Sequence, residues 1–320
     1  MMFKFRLSLP KLAIFLSLIA IGVISCGLFI NSGHVQQAPQ QVQVATRLYN
    51  TPVEVPASME FAGEKISLEN FDVHEALDRE LLVNSYFQSQ TILYLKKSNR
   101  YFHLIGPILK KNKIPDDFKY LSLAESGFQE RIVSPAGAVG LWQLMKKSAT
   151  ENGLEVNIEV DERYNMEKST EAACRYLNHS YEQYGSWITV AASYNTGISG
   201  IKRQAELQDS KNYFDLLLNE ETSRYVYRIL ALKLILENPG KYGFKVTEEE
   251  KYPLLQCKEI TLNGSVANFA DYAHKQGINY KILKYFNPWL RQSYLKNPSK
   301  KSYQIKIPEP GTRTFDLVEN

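Results

Sequence analysis

The chain has 320 residues, a formal net charge of +4, and 44% hydrophobic, 22% charged and 12% aromatic positions. That length exceeds an ordinary single domain and implies two domains plus tails. So small a charge makes no case for nucleic acid, and it fits an acidic polymer without requiring one. Three cysteines (Cys26, Cys174, Cys257) and five histidines (His34, His74, His103, His179, His274) are scattered without ligand spacing, so neither a metal nor a cofactor is expected. Cys174 falls in an alanine-rich stretch as a small apolar residue, although a Cys174–Cys257 bridge is conceivable in an oxidising compartment.

At the amino terminus, Lys4, Arg6 and Lys11 precede an apolar run from Leu12 to Ile24, the layout of a signal peptide. The run ends Val23-Ile24-Ser25-Cys26, which resembles a bacterial lipobox with Cys26 as the lipidated residue. A second reading extends the run through Ile30 as an uncleaved anchor. Both place residues 1–30 at a membrane. Residues 31–70 are rich in Gln and Pro at first and show no helical period, which predicts a flexible linker.

Helical spacing dominates from 71 to 250. Leu77, Leu81, Leu82, Phe87, Ile92, Leu95, Tyr101, Leu104, Ile105, Ile108 and Leu109 are mostly candidate core, and Ser169-Thr170-Glu171 reads as a helix start. Arg224–Glu237 is apolar nearly all round, as a central helix would be. Pro115, Asp116 and Asp117 signal another helix start, with Phe118, Leu121 and Ala124 as its apolar stripe and Gly127 as its stop. Glu125, seven residues after Phe118, shares that buried face and lies in the last turn, where the dipole opposes a carboxylate. Both effects disfavour ionisation, as a general acid requires. The alternative is an exposed glutamate at a fraying helix end. A glycine-bearing loop follows (Ser134 to Gly140), and Leu141-Trp142-Gln143-Leu144-Met145 is expected to open a new helix, so that a groove for a polar ring-shaped ligand could form.

Glu125-Ser126, Ser134, Gly137-Ala-Val-Gly-Leu-Trp-Gln143, Ala191-Ala-Ser-Tyr194-Asn195-Thr-Gly197 and Glu221-Thr-Ser-Arg-Tyr225-Val226 occur in this order between residues 100 and 245. Together they resemble the goose-type lysozyme and lytic transglycosylase superfamily, specifically the family 1 lytic transglycosylases. The resemblance implies a mainly α protein with a lysozyme-like all-α catalytic domain over 71–250. It also implies cleavage of the MurNAc–GlcNAc bond of peptidoglycan to 1,6-anhydro ends, in the bacterial cell envelope on the periplasmic side. Glu125 would act as acid and then base, because the muramic C6 hydroxyl replaces the second carboxylate that most glycosidases need. Glu130, Asp161 and Glu162 offer no convincing second acid. Ser134, Gln143, Met145, Tyr194 and Asn195 would bind substrate, with the Tyr194 hydroxyl near Glu125. Taken singly, Ser134 is equally a loop cap, Met145 and Tyr194 equally core, and Glu221 a stem-peptide contact or a cap near Thr222. Asp161-Glu-Arg-Tyr-Asn-Met166, Leu144 and Lys146 depart from the family pattern. A muramidase using water and an inactive wall-binding scaffold are the rival functions.

Beyond an acidic turn at Glu248–Glu250, Leu255–Leu262 predicts a strand, Val266–Ala273 and Tyr280–Phe286 two short helices, and Tyr303–Ile307 a closing strand. This β-α-α-β pattern over 251–310, before a tail at 311–320, resembles a LysM module. Asn263-Gly264-Ser265 stands where that family has Gly-Asp-Thr, so glycan binding and a spacer or docking role both stay open.

Overall fold

The computed structural model describes residues 52–314. The lipobox-like Cys26 and the apolar run lie outside the described residues. Among the described residues, no helix is long and apolar enough to cross a membrane.

Ten α-helices and two small two-stranded sheets make up the described chain. The first two helices are α1 (Phe71–Tyr86) and α2 (Gln88–Lys111). Val73, Leu77 and Leu81 line one face of α1, and Leu95, Tyr101, Ile105 and Leu109 one face of α2, whereas Leu82, Phe87 and Ile92, expected in the core, are exposed because they fall off those faces. Then follow α3 (Phe118–Ser126), α4 (Lys146–Glu151), α5 (Met166–Tyr184), α6 (Trp187–Thr196), α7 (Ile198–Leu207) and α8 (Glu220–Glu237). The last of these is the hub: Tyr225, Val226, Ile229, Leu230, Leu232 and Ile235 are buried, and α1, α3 and α6 all pack on it. Asn219 caps it, its side-chain oxygen accepting from the Thr222 N–H at 3.0 Å.

The helix start expected at Pro115-Asp116-Asp117 is where α3 begins, with Asp117 as its N-cap residue, and two other local expectations are corrected. Asp117 serves tertiary contacts, pairing with Lys233 at 2.6 Å and accepting the Ala62 N–H at 2.7 Å. The helix expected at Ser169 begins three residues earlier, at Met166, because Asn165 supplies the cap. The Ser169 and Thr170 hydroxyls bond back to the Met166 carbonyl from within the helix. Cys174 is buried, Cys257 is half-buried, and both are free thiols, so no bridge joins them.

The linker expected through residue 70 is also corrected where it is described. Strands β1 (Glu60–Phe61) and β2 (Glu64–Lys65) form a hairpin across Ala62-Gly63, both at positive φ. Phe61 is wholly buried and meets Phe118, with ring centroids 5.5 Å apart. The Glu64 carboxylate accepts the Ser186 hydroxyl at 2.8 Å and the Trp187 N–H, capping α6 from another part of the chain. Gln and Pro set the composition of this region, but Phe61, Ile66 and Leu68 set its fate.

At the carboxyl end, β3 (Cys257–Asn263) pairs antiparallel with β4 (Ser302–Pro308), Ile260 opposite Ile305. Helices α9 (Phe269–Lys275) and α10 (Tyr280–Phe286) connect them, as expected. Buried Asn287 ties the connection to β4, donating to the Lys306 carbonyl at 2.7 Å and accepting the Lys306 N–H at 2.8 Å.

Candidate active site

Helix α3 ends at Gly127, whose φ of 57° lies in the left-handed region. A Cβ there would come within 2.9 Å of the Tyr94 ring, so glycine is required by backbone shape and by space. This stop sets Glu125 in the final turn, half-buried with its carboxyl enclosed by protein, which excludes the exposed-glutamate alternative. Burial pushes its pKa from the ordinary 4.5 up to about 7, against opposing pulls from a Tyr225 hydrogen bond and the Arg228 charge.

The hydroxyl that touches Glu125 belongs to Tyr225 on α8, which donates to Oε1. Tyr194 on α6, expected near Glu125, is close enough for the Glu125 charge to raise its pKa beyond the effect of burial, and its hydroxyl donates to the Trp142 carbonyl at 2.7 Å. Tyr225 stands in the recognised Glu221–Val226 run, but a helix of one hundred residues' separation gave no local hint of its partner.

Leu141–Met145 is no helix. Val139 bridges both Val133 and Leu144, and the turn between them holds Gln143 at a φ of 47°, with Trp142 sealed inside and donating to Thr170 at 2.8 Å. Gly140 precedes it because a Cβ would lie 2.3 Å from the Arg163 carbonyl oxygen. Helix α4 starts only at Lys146, with Met145 as its N-cap residue. The Gln143 side-chain NH2 donates to the Gly140 carbonyl at 2.8 Å, which fixes the amide. Ser134 closes the loop's base, its hydroxyl accepting the Ala138 N–H at 3.0 Å.

A groove of about 790 Å³ runs past this turn, lined by Gln143, Met145, Tyr176, Tyr194 and Asn195. A second groove of about 610 Å³ continues from Asn195 to Glu221 and Thr222. Asn195 stands between them, its side-chain oxygen accepting the Thr222 hydroxyl at 3.0 Å. Met145 exposes nearly half its surface to the first groove, which excludes a core role. Four of the five expected binding residues thus share one concave surface, and Ser134 supports it from the loop.

The other acids are placed away from this role. Glu221 lies in the first turn of α8 and pairs with Arg228 at 3.2 Å. Glu130 accepts the Tyr101 hydroxyl at 2.7 Å, and burial raises its pKa, but it lines a different cavity, beside the carboxyl-terminal unit. Asp161 grips Arg163 through two N–H groups at 2.9 and 2.8 Å. Buried Glu80, which no sequence signal marked, pairs with Arg224 at 2.7 Å and lies 3.9 Å from Arg228.

The enclosed Glu125 carboxyl lies within charge range of Tyr194, which lines the first groove. Residues 105–217 match the transglycosylase SLT domain, and residues 258–311 match the soluble lytic transglycosylase C-terminal LysM-like domain. The chain therefore carries an SLT domain within a mostly helical unit, followed by a small LysM-like domain. It is 28% identical over 243 residues to the membrane-bound lytic murein transglycosylase D of Escherichia coli strain K12, covering 73% of this chain and 52% of that one. This chain spans about half the length of the curated relative it matches. Among solved structures, the soluble lytic transglycosylase SLT70 of Escherichia coli aligns with a TM-score of 0.38 at 21% identity, over 47% of this chain and 26% of that one. An inactive mutant of the lytic transglycosylase Slt from Pseudomonas aeruginosa aligns with a TM-score of 0.36 at 21% identity, over 48% and 26%.

Proposed function

We propose that this protein is a peptidoglycan lytic transglycosylase that cleaves the MurNAc-β-1,4-GlcNAc bond without water. The observation that carries the reading is the Glu125 carboxyl, pushed up to about 7 by burial and within charge range of Tyr194, which lines the groove with Gln143, Met145 and Asn195. At neutral pH a substantial fraction is protonated and can give its proton to the departing GlcNAc oxygen as the C1–O bond breaks. The same carboxylate then takes the proton from the muramic C6 hydroxyl as its oxygen bonds to C1. The products are a GlcNAc hydroxyl end and a 1,6-anhydro-MurNAc end, and Glu125 is again protonated.

Electrostatics support one acid in two roles. Glu221, which lines the second groove, is held by Arg228, Glu151, which lines the first, lies 3.8 Å from Lys147, and Glu130 is held by Tyr101. Gln143 has its NH2 committed to Gly140, which leaves its side-chain oxygen to accept from a sugar hydroxyl or acetamide. Asn195 lies where the two grooves join, in place to contact the same strand. The domain boundaries proposed are 71–250 for the catalytic unit, which the 52–70 strap completes, and 251–310 for the LysM-like unit. Tethering through Cys26 or an anchor in residues 1–30, on the periplasmic side of a bacterial envelope, completes the reading; a membrane-bound relative supports it.

Digestion of purified sacculi, with products identified by mass spectrometry, tests this. Anhydro-muramic ends are expected, and reducing ends would replace the reading with a hydrolase. The Glu125→Gln variant should fold and bind sacculi while releasing glycan at least about 10²-fold more slowly. Unchanged release would remove Glu125 from catalysis.

A further inference from the structure

The two hydrophobic cores of the described chain share a boundary at one segment, residues 155–164. Val160 and Tyr164 from that segment are buried in the carboxyl-terminal cluster with Trp289, Leu290 and Leu295, and so is Val139 of the Gln143 loop. The Asp161 N–H donates to the Trp289 carbonyl at 2.9 Å, and the Arg291 N–H to the Glu159 carbonyl at 2.8 Å. Between them Val160 bridges Leu290 in the manner of paired strands. The Arg291 guanidinium lies 3.9 Å from the centre of the Tyr164 ring. Lys301 and Tyr303 both reach the Glu155 carboxylate, at 2.9 and 3.1 Å. The segment is in effect an extra edge of the LysM-like unit.

Its far end holds the substrate loop. Asp161 orients Arg163, whose Nη1 donates to the carbonyls of Gly137 at 3.1 Å and Leu144 at 3.2 Å. Val139 and Leu144 exchange backbone hydrogen bonds at 3.2 and 3.1 Å and close the turn that contains Gln143. A non-glycine residue at positive φ persists only where its surroundings impose that conformation. Here the surroundings are Arg163 on one side and the carboxyl-terminal cluster around Val139 on the other.

We infer that the LysM-like unit forms a fixed wall of the catalytic unit and positions Gln143 and Ser134, with Trp289 and Arg291 as positioning residues. The inference rests on the transglycosylase reading for its kinetic consequence, but its structural consequence is independent of it. A unit attached this way contributes to the alignment of a glycan strand without a sugar contact of its own, since a small displacement of an aligning group costs up to about two orders of magnitude in kcat/KM.

The test uses the full chain and soluble glycan strands. Trp289→Ala and Arg291→Ala should each raise KM roughly ten-fold, with kcat and the alkaline limb of the pH profile unmoved, because burial and Tyr225 set the Glu125 pKa. Trp289→Phe should restore KM. Ile305→Ala, in the middle of the β3–β4 ribbon, is the control for lost stability. Equal KM changes in Trp289→Ala and Ile305→Ala, or none in either positioning variant while thermal unfolding shows both folded, would overturn the inference. Hydrogen exchange of the 137–144 amides reads the loop without any activity. Faster exchange in Arg291→Ala supports the wall even if no anhydro ends are ever found, and unchanged exchange rejects it.

Discussion

The Tyr225 hydroxyl donates its hydrogen bond to Glu125 Oε1 from across the molecule, joining the central helix α8 to the last turn of α3. This bond favours the ionised carboxyl, whereas burial favours the neutral one, and burial wins. The opposition keeps the acid near neutrality instead of far above it.

Removing that hydroxyl should therefore move the acid in a defined direction. In Tyr225→Phe the carboxylate loses a hydrogen bond to a charged group, typically about 1.5–3 kcal/mol, which is about one to two pKa units. In the proposed reaction the protonated form is the working acid, so the alkaline limb of the kcat/KM profile should shift upward by about a unit. A limb that stays in place, or moves down, would show that Tyr225 does not tune Glu125.

Tyr194→Phe should behave differently, because its hydroxyl holds the Trp142 carbonyl and not the acid. The expected result is a stability loss of about 1 kcal/mol and a weaker KM, with the pH limbs unmoved. Thermal melts and a pH–rate profile on one preparation separate this from the Tyr225 variant. A displaced alkaline limb in Tyr194→Phe would show that Tyr194 tunes Glu125 as well.

These two tyrosines show where sequence reasoning stops. The acid was legible because its burial, helix stop and neighbours are local: Phe118, Leu121 and Gly127 stand within a few residues of Glu125. The carboxyl-terminal strands and helices were legible for the same reason, with Tyr303, Ile305 and Ile307 alternating in the chain as they do in the sheet. The partner of Glu125 lies on another helix, and spacing carries no record of which of two buried tyrosines reaches it. The Gln143 turn was misread as helix because Leu141–Met145 has helical composition, and its actual shape is imposed by Arg163 and Val139. Phe61 was lost in a linker because a two-residue strand has no periodicity to find.

The Arg163–Asp161 pair offers a direct test of that imposed shape. Both side chains are about nine-tenths buried. Arg163→Met would leave Asp161 charged and unpaired inside the protein, at a cost of about 3–5 kcal/mol. Asp161→Asn with Arg163→Met should recover much of that loss in a denaturant melt. If the single variant costs no more than a surface substitution, the pair is not what holds the Gly137–Leu144 loop.

The strap at the start of the described chain makes a separate prediction. Phe61→Ala would empty a wholly buried site against Phe118, with an expected loss of about 3–5 kcal/mol. A flexible linker would show no change, so urea unfolding of this one variant decides whether residues 52–70 belong to the folded unit.

Stability and function pull against each other at Glu125, and the sign can be worked out. Its folded pKa is about 7 and its ordinary value is 4.5. Between those pH values the folded protein binds more protons than the unfolded chain, so the group's contribution to stability is full below 4.5 and is lost as pH rises through 7. With each unit worth about 1.36 kcal/mol, the loss above neutrality is of the order of 3 kcal/mol. Glu125→Gln keeps an oxygen for the Tyr225 hydroxyl and never ionises. It should therefore match the parent in chemical denaturation near pH 4 and exceed it by about 2–3 kcal/mol at pH 8. A variant that tracks the parent across that range would show that the carboxyl is solvated when charged, and the proton for the proposed glycan cleavage would have to come from elsewhere.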